Sequence, residues 1–429
     1  MKYILIGGIF MSEYVINGGK SLTGSVNVSG AKNAVLPLLS AALLCTDGVI
    51  TLTNCPDITD VTYTLEILKL FGSKVSFAKG QITVDSRSAE PAFIPEDLTM
   101  RLRSASLFLG SALARFSKAE QCLPGGCKLG SRPIDMHLSA FAQMGVVNLC
   151  EDDKLICKGS PCGADITLRF PSVGTTENII LCASLSKGET RIMNAAKEPE
   201  ICELCSFINA MGGNIKGAGS SVIVIQGVEK LKGINYNIMG DRIEAATFMT
   251  LAMATDGEIT VCGIEPDTLN AVTDVLALFG GVVHSKDDRI TVRRSGHFIL
   301  PAGMVKTAPY PGFPTDAQSL VMSMLTLSVG SSLICENMFE NRFMLASELT
   351  KMGADISVCG NTARVTGVRS LYGSRLVASD LRSGAALVVA ALSAKGRSTI
   401  ANVCYILRGY SEFDKKLRAL GADIMKTED

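Results

Sequence analysis

Residues 123–137 read LPGGCKLGSRPIDMH. Cys127 follows Gly125 and Gly126, and Lys128, Arg132, Asp135 and His137 come within ten residues of it. Glycines give a loop freedom to bring its backbone against a ligand. Nearby positive charge favours the thiolate, the reactive form of cysteine. The stretch therefore reads either as a mobile loop with a reactive thiol or as a surface turn with an incidental cysteine.

Other polar clusters stand next to apolar runs. SGAKNA places Lys32 and Asn33 at a helix start, where free N–H groups and the helix dipole favour an anion. LRSAS offers Arg103, SRPID offers Arg132 and Asp135, FENRF offers Arg342, and LRGY offers Arg408. SDLRSGA supplies Asp380 and Arg382. YPGFPTDAQ sets Asp316 before an apolar helix, as an N-cap or as a working carboxylate. One lysine and up to five arginines converging in one place suit a ligand with several negative charges, such as phosphates and a carboxylate. A cysteine and an aspartate beside them suit proton transfer.

The elements that must position these residues repeat. LKLFGSKVSF, FAQMGVVNLC, INAMGGNIKG, LALFGGVVHS, LTKMGADISV and LRALGADIMK share an apolar residue and a glycine between a helix and a strand. The glycines are Gly72, Gly145, Gly212, Gly280, Gly353 and Gly421, at spacings of 73, 67, 68, 73 and 68 residues. Each unit reads as an apolar helix such as AATFMTLAMA, a strand such as EITVCG, a charged helix closed by the glycine, and a further strand. Helices apolar all round should be buried, and charged ones should face solvent. The expected fold is α/β, with buried helices inside and three units to a globule. Two such globules would leave a cleft for ligands.

The 429 residues suffice for two or three domains, and 47% are hydrophobic. Lys and Arg balance Asp and Glu at 41 each, which argues against a nucleic-acid footprint. The 14 cysteines lie mostly in apolar segments, so a reduced cytoplasmic protein is expected rather than a disulfide scaffold. Cys202 and Cys205 form a lone CxxC, read as one helix face, and with three histidines no metal site is expected. No run reaches the length of a membrane span, and residues 1–10 read as an upstream extension before SEYVINGGKSLTG.

SGAKNA, PGGCKLGSRPIDMH, SVGTTEN, AAKEPE, PDTLNAV, YPGFPTDAQ, FENRFM and SDLRSGAAL follow in order the signatures of one family. From about residue 12 onward the chain resembles the UDP-N-acetylglucosamine enolpyruvyl transferases (UDP-N-acetylglucosamine 1-carboxyvinyltransferases). The resemblance implies two inside-out α/β barrel-like globules, one of residues 32–239 carrying the Cys127 loop, the other of 1–31 with 240–429. It implies transfer of the enolpyruvyl group of phosphoenolpyruvate to the 3′-hydroxyl of UDP-N-acetylglucosamine, the first committed step of peptidoglycan synthesis. Cell wall biogenesis, cell shape and cell division depend on that step, and the epoxide antibiotic fosfomycin would alkylate Cys127. No cofactor, nucleic acid or membrane insertion is implied.

Carried onto this chain, Lys32, Arg132 and Arg408 would hold phosphoenolpyruvate, with Asn33 beside them. Cys127 would donate a proton and carry a pyruvate adduct, and Asp316 would take the hydroxyl proton. Arg103, Arg132, Pro133, Ile134, Asp135, Met136, Ser172, Val173 and Met338 would bind the UDP-sugar. Arg342 and Arg382 would join the arginine set, with Asp380 behind them. The chain departs from the family at CYILRGY, where Cys404, Tyr405 and Leu407 replace tyrosine, histidine and aspartate, and at Phe170, where some members have lysine. These changes keep two alternatives open: a catalytically weak UDP-sugar-binding regulatory paralogue, and an enzyme for another nucleotide sugar.

Overall fold

The computed structural model describes residues 12–123, 134–151, 153–301 and 303–427. These form two compact units. The first holds the described residues through Val28, Arg242–Ala308 and those from Gly312 onward; the second holds Ser29–Asp241 and Pro309–Pro311. In this division the boundaries fall at 28/29 and 241/242. A local ladder lies there. The Asp241 N–H donates to Ser29 O and the Ala31 N–H to Met239 O, both at 2.8 Å, around a Gly30–Gly240 bridge.

Each unit buries three helices. They are Lys32–Ala42, Leu107–Phe116 and Val173–Ala183 in the second unit, and Arg242–Ala254, Thr315–Leu325 and Leu381–Ser393 in the first. Every residue of Arg242–Ala254 is buried. Several helices begin two to four residues before the apolar run that marks them in the sequence; the 381–393 helix starts at Leu381, ahead of GAALVVAALSA. Their first turns are polar, and those turns carry the candidate site residues.

The charged helices expose one face, as the burial of Phe413 and Leu417 within Phe413–Ala419 illustrates. All six repeat glycines have positive φ, between 81° and 101°. At the first, Gly72 N–H bonds Lys69 O and Ser73 N–H bonds Leu68 O, a helix end that needs a left-handed residue.

Among the described residues there are six four-stranded sheets and one two-stranded sheet, none closed into a barrel. In the sheet that shows the plan, Asp165–Thr167 runs parallel to Glu189–Met193 across the Val173–Ala183 helix. Val222–Gln226 and then Asn214–Lys216 add antiparallel. Two strands are exchanged between repeats. Thr23–Asn27 precedes the Lys32–Ala42 helix but pairs with Glu258–Cys262. Asn235–Asn237 precedes the Arg242–Ala254 helix but pairs with residues 51–53. Glu13–Asn17 lies between Arg397–Ala401 and Asp423–Thr427, so the first described strand completes the last repeat. No helix among the described residues is long and apolar enough to cross a membrane.

Candidate functional site

In the first unit the chemistry gathers on Asp316. The helix starts at Thr315 after Pro314, which puts Asp316 at its second residue and not at the N-cap. Its Oδ1 accepts from Arg342 Nη2 at 3.0 Å and from Arg382 Nε at 3.1 Å. Both guanidinium side chains are buried, whereas the Asp316 side chain keeps 25% of its surface exposed. Burial alone would raise the Asp316 carboxyl. Arg382 and Arg342, with help from Arg242, outweigh it and hold the group well below the usual carboxylate range. At neutral pH it is a pinned anion facing solvent.

Asp380 anchors this arrangement. Its Oδ1 accepts from the backbone N–H of Arg382 and Ser383 at 2.9 and 3.2 Å, while Ser383 Oγ accepts from the Asp380 N–H at 3.0 Å. This capping box fixes the turn that carries Arg382. Asp380 also stands 3.8 Å from Arg342 Nη1.

Glu336 is a site residue that the motifs did not single out. Its Oε1 accepts from Thr307 Oγ1, Met338 N–H and Phe339 N–H at 3.0, 2.7 and 3.1 Å. Its Oε2 accepts from Thr315 Oγ1 at 2.9 Å, and that same hydroxyl accepts from Arg342 Nε at 3.3 Å. Glu336 thus folds the Met338 turn and orients Arg342, which also lies 5.0 Å over the Phe339 ring. A signal existed in the sequence. Ser332 and Ile334 point inward on strand Ser331–Cys335, and period two carries that face to Glu336.

Arg408 ends the turn Val403–Arg408. Beside it, Leu407 and Tyr405 pack against the hydrophobic core of the unit, and Cys404 is exposed. Leu407 is thus spent on packing.

In the second unit Lys32 is the first residue of its helix. Its Nζ lies 2.8 Å from the buried Asp60 carboxylate. Ala31 gives the helix no side-chain cap, and Asp241 Oδ2 accepts the Lys32 N–H at 3.1 Å instead. Asn33 follows, half-buried. Asp60 and Asp241 are further residues that the motifs missed.

Arg103 opens the turn Arg103–Ser106 that leads into helix Leu107–Phe116. Ile134 and the buried Met136 flank Asp135, which begins helix Asp135–Gln143 and pairs with Arg169. A pocket of about 380 Å³ lies beside that pair, with Met136, Ala140, Ile166 and Leu168 as its apolar wall. Phe170 is exposed. Ser172 caps helix Val173–Ala183 by accepting from the Thr175 N–H at 3.4 Å. The first-turn N–H groups of Val173 and Gly174 are thereby left outside the helix ladder.

Cys127, Lys128, Arg132 and Pro133 lie outside the described residues. Among those described, no group of three or more His, Cys, Asp and Glu side chains is placed to hold a metal ion. The described groups suit binding of anions and proton transfer at Asp316.

Residues 16–417 match the family model described as EPSP synthase (3-phosphoshikimate 1-carboxyvinyltransferase). UDP-N-acetylglucosamine 1-carboxyvinyltransferase 2 of Carboxydothermus hydrogenoformans is 44% identical across 98% of this chain and 100% of its own. UDP-N-acetylglucosamine 1-carboxyvinyltransferase of Desulforapulum autotrophicum is 42% identical across 97% and 100%. Among solved structures, the enolpyruvyl transferase NikO from Streptomyces tendae superposes with a TM-score of 0.88 at 25% identity, covering 98% of this chain and 99% of its own. EPSP synthase from Acinetobacter baumannii shares the fold, with a TM-score of 0.74 at 17% identity over 97% and 100%.

Proposed function

The chain belongs to the EPSP synthase family of carboxyvinyltransferases, and from that premise we infer the reaction it carries out. It transfers the enolpyruvyl group of phosphoenolpyruvate to the 3′-hydroxyl of UDP-N-acetylglucosamine and releases phosphate. Relatives named for that acceptor match it over nearly its full length. The geometric observation that carries the reading is the Asp316 carboxylate held by Arg342 and Arg382 at the start of a buried helix.

The reaction begins with a proton added to the methylene carbon of phosphoenolpyruvate, which makes C2 electrophilic. The sugar hydroxyl attacks C2 and gives up its proton, forming a tetrahedral phosphoketal. Loss of phosphate and of a proton from the methyl group then yields the enolpyruvyl ether. In this assignment Cys127 delivers the first proton and can carry a pyruvate adduct, and Asp316 takes the hydroxyl proton. Lys32, Arg132 and Arg408 hold phosphoenolpyruvate, with Asn33 beside them. Arg103, residues 132–136, Ser172, Val173 and Met338 bind the UDP-sugar.

The pinned state of Asp316 gives this scheme a physical order. A carboxylate stabilised by two guanidinium groups is a weak base. An anionic substrate that draws Arg342 or Arg382 toward itself restores the carboxylate's proton affinity. Lys32 meets the same condition in reverse, because a bound phosphate must share its ammonium with Asp60. The base is strengthened when the charged substrate arrives.

The cellular setting of the proposal is the first committed step of peptidoglycan synthesis in the cytoplasm, with fosfomycin alkylating Cys127. The test is phosphate release from phosphoenolpyruvate with and without UDP-N-acetylglucosamine, with the product mass measured. Acceptor-dependent release with formation of the enolpyruvyl ether is expected. Folded protein that binds the UDP-sugar but releases no phosphate would be a binding paralogue.

A further inference from the structure

His137 is buried, and the roles assigned above leave it unused. Its Nδ1 lies 2.8 Å from Asn178 Nδ2. The orientation of that amide is fixed from both sides. Asn178 Oδ1 accepts the Gly110 N–H at 2.8 Å, and Ser106 O, which can only accept, faces Nδ2 at 2.8 Å. The second amide hydrogen therefore points at His137 Nδ1, which must accept it, and the ring proton sits on Nε2. A Cβ at Gly110 would come within 2.6 Å of Asn178 Oδ1, so only glycine lets that helix backbone reach the amide. Burial, with Arg103 nearby and Asp135 opposing, lowers His137 to about 4, so the ring is neutral at pH 7.

The Nε2 edge faces the first turn of helix Val173–Ala183. A Cβ at Gly174 would lie 3.5 Å from His137 Cε1 and 3.8 Å from Nε2. Among the described residues Nε2 has no hydrogen-bond partner. A helix N-terminus, a buried N–H beside it and Arg103 nearby share one chemistry, which is donation to an anion.

We propose that His137 is a neutral hydrogen-bond donor to the diphosphate of the nucleotide sugar, with Asn178 as the positioning residue that holds it in its Nε2–H form. The inference rests on the UDP-sugar reading above. It also accounts for a histidine directly after the Arg132–Met136 stretch.

The chain has three histidines, so ¹⁵N-histidine labelling gives a readable spectrum, assigned with His137→Gln. At pH 7 the free protein should show His137 as the Nε2–H tautomer. Saturating UDP-N-acetylglucosamine should shift Nε2 and leave Nδ1 near its free position. In Asn178→Asp a carboxylate, which only accepts, should draw the proton to Nδ1 and weaken UDP-sugar binding about tenfold by calorimetry. If that variant does not fold, His137→Leu against His137→Gln serves instead. Leucine should lose about tenfold in affinity, and glutamine, which keeps an N–H, should recover most of it. An Nδ1–H tautomer in the free wild type, an Nε2 signal unmoved by bound UDP-sugar, or equal affinities for the two variants would overturn the proposal. A wild type with no calorimetric response to UDP-N-acetylglucosamine would instead overturn the acceptor reading, and this ligand for His137 with it.

Discussion

Lys32 and Asp316 hold matching places in their repeats, the first turn of a buried helix. Each is neutralised by a residue from the start of the next helical segment in its repeat, Asp60 for Lys32 and Arg342 for Asp316. The geometry is shared and the signs are reversed. Asp316 also takes Arg382 from the first turn of the following buried helix. One framework thus builds a cation held by a carboxylate and an anion held by arginines. Neither is left as a bare buried charge, which would be costly. A charged substrate can then enter by exchanging partners with them.

Removing the doubly held anion is the strongest way to test this contrast. Asp316→Asn should lower kcat by about 10³-fold, the scale of a lost general base. It should also destabilise the fold by about 3 kcal/mol, because two buried guanidinium groups lose their carboxylate. The pH dependence has a definite sign. The folded carboxyl lies below the unfolded value of about 3.9, so its stabilisation is full above that value and fades as pH falls below about 4. Urea unfolding of wild type and variant should show the gap widest near pH 7 and narrowing in acid. Turnover within a few-fold of wild type would remove Asp316 from the chemistry.

A smaller change acts one step back from the anion. Glu336→Gln keeps the shape but replaces an acceptor oxygen with an N–H donor. We expect KM for the UDP-sugar to rise about tenfold, with kcat held within about threefold. A loss confined to kcat would mean that Glu336 acts on Arg342 more than on the Met338 turn. On the cation side, Asp60→Asn should loosen the hold on Lys32 and lower KM for phosphoenolpyruvate about threefold, while breaking a buried pair should cost about 3 kcal/mol of stability. A raised KM would show that Asp60 positions the ammonium and does not compete for it. The control for the shared framework is Gly212→Ala. Open space surrounds that Cβ position, but φ is +101°, so about 1–2 kcal/mol of stability should be lost with kcat unchanged.

The framework was legible in the sequence because it repeats. The six glycines marked the helix ends, and the runs beside them marked the buried helices. Lys32, Asp316 and the arginines could be named as candidates from their place beside apolar runs. Their pairing could not be read, since Asp316 meets Arg342 and Arg382 across 26 and 66 residues. Asn178 was hidden for a different reason: it sits inside ENIILCASL, which reads as core helix, and only the approach of Gly110 and His137 shows its use. The exchange of Thr23–Asn27 and Asn235–Asn237 leaves no periodic trace, because both strands have the expected length and place.

The place of Glu13–Asn17 between two C-terminal strands sets an order of assembly on the ribosome. By the time Asp241 has been made, every described strand of the second unit is present to pair. Glu13–Asn17 was made earlier, yet it must wait for Ile400 and Lys426 before it has neighbours on both sides. At roughly 10 residues per second that wait is about 40 s. Glu13–Asn17 is therefore among the last strands to be sequestered, and the unit containing Asp316 stays open longer to chaperones and to interrupted translation.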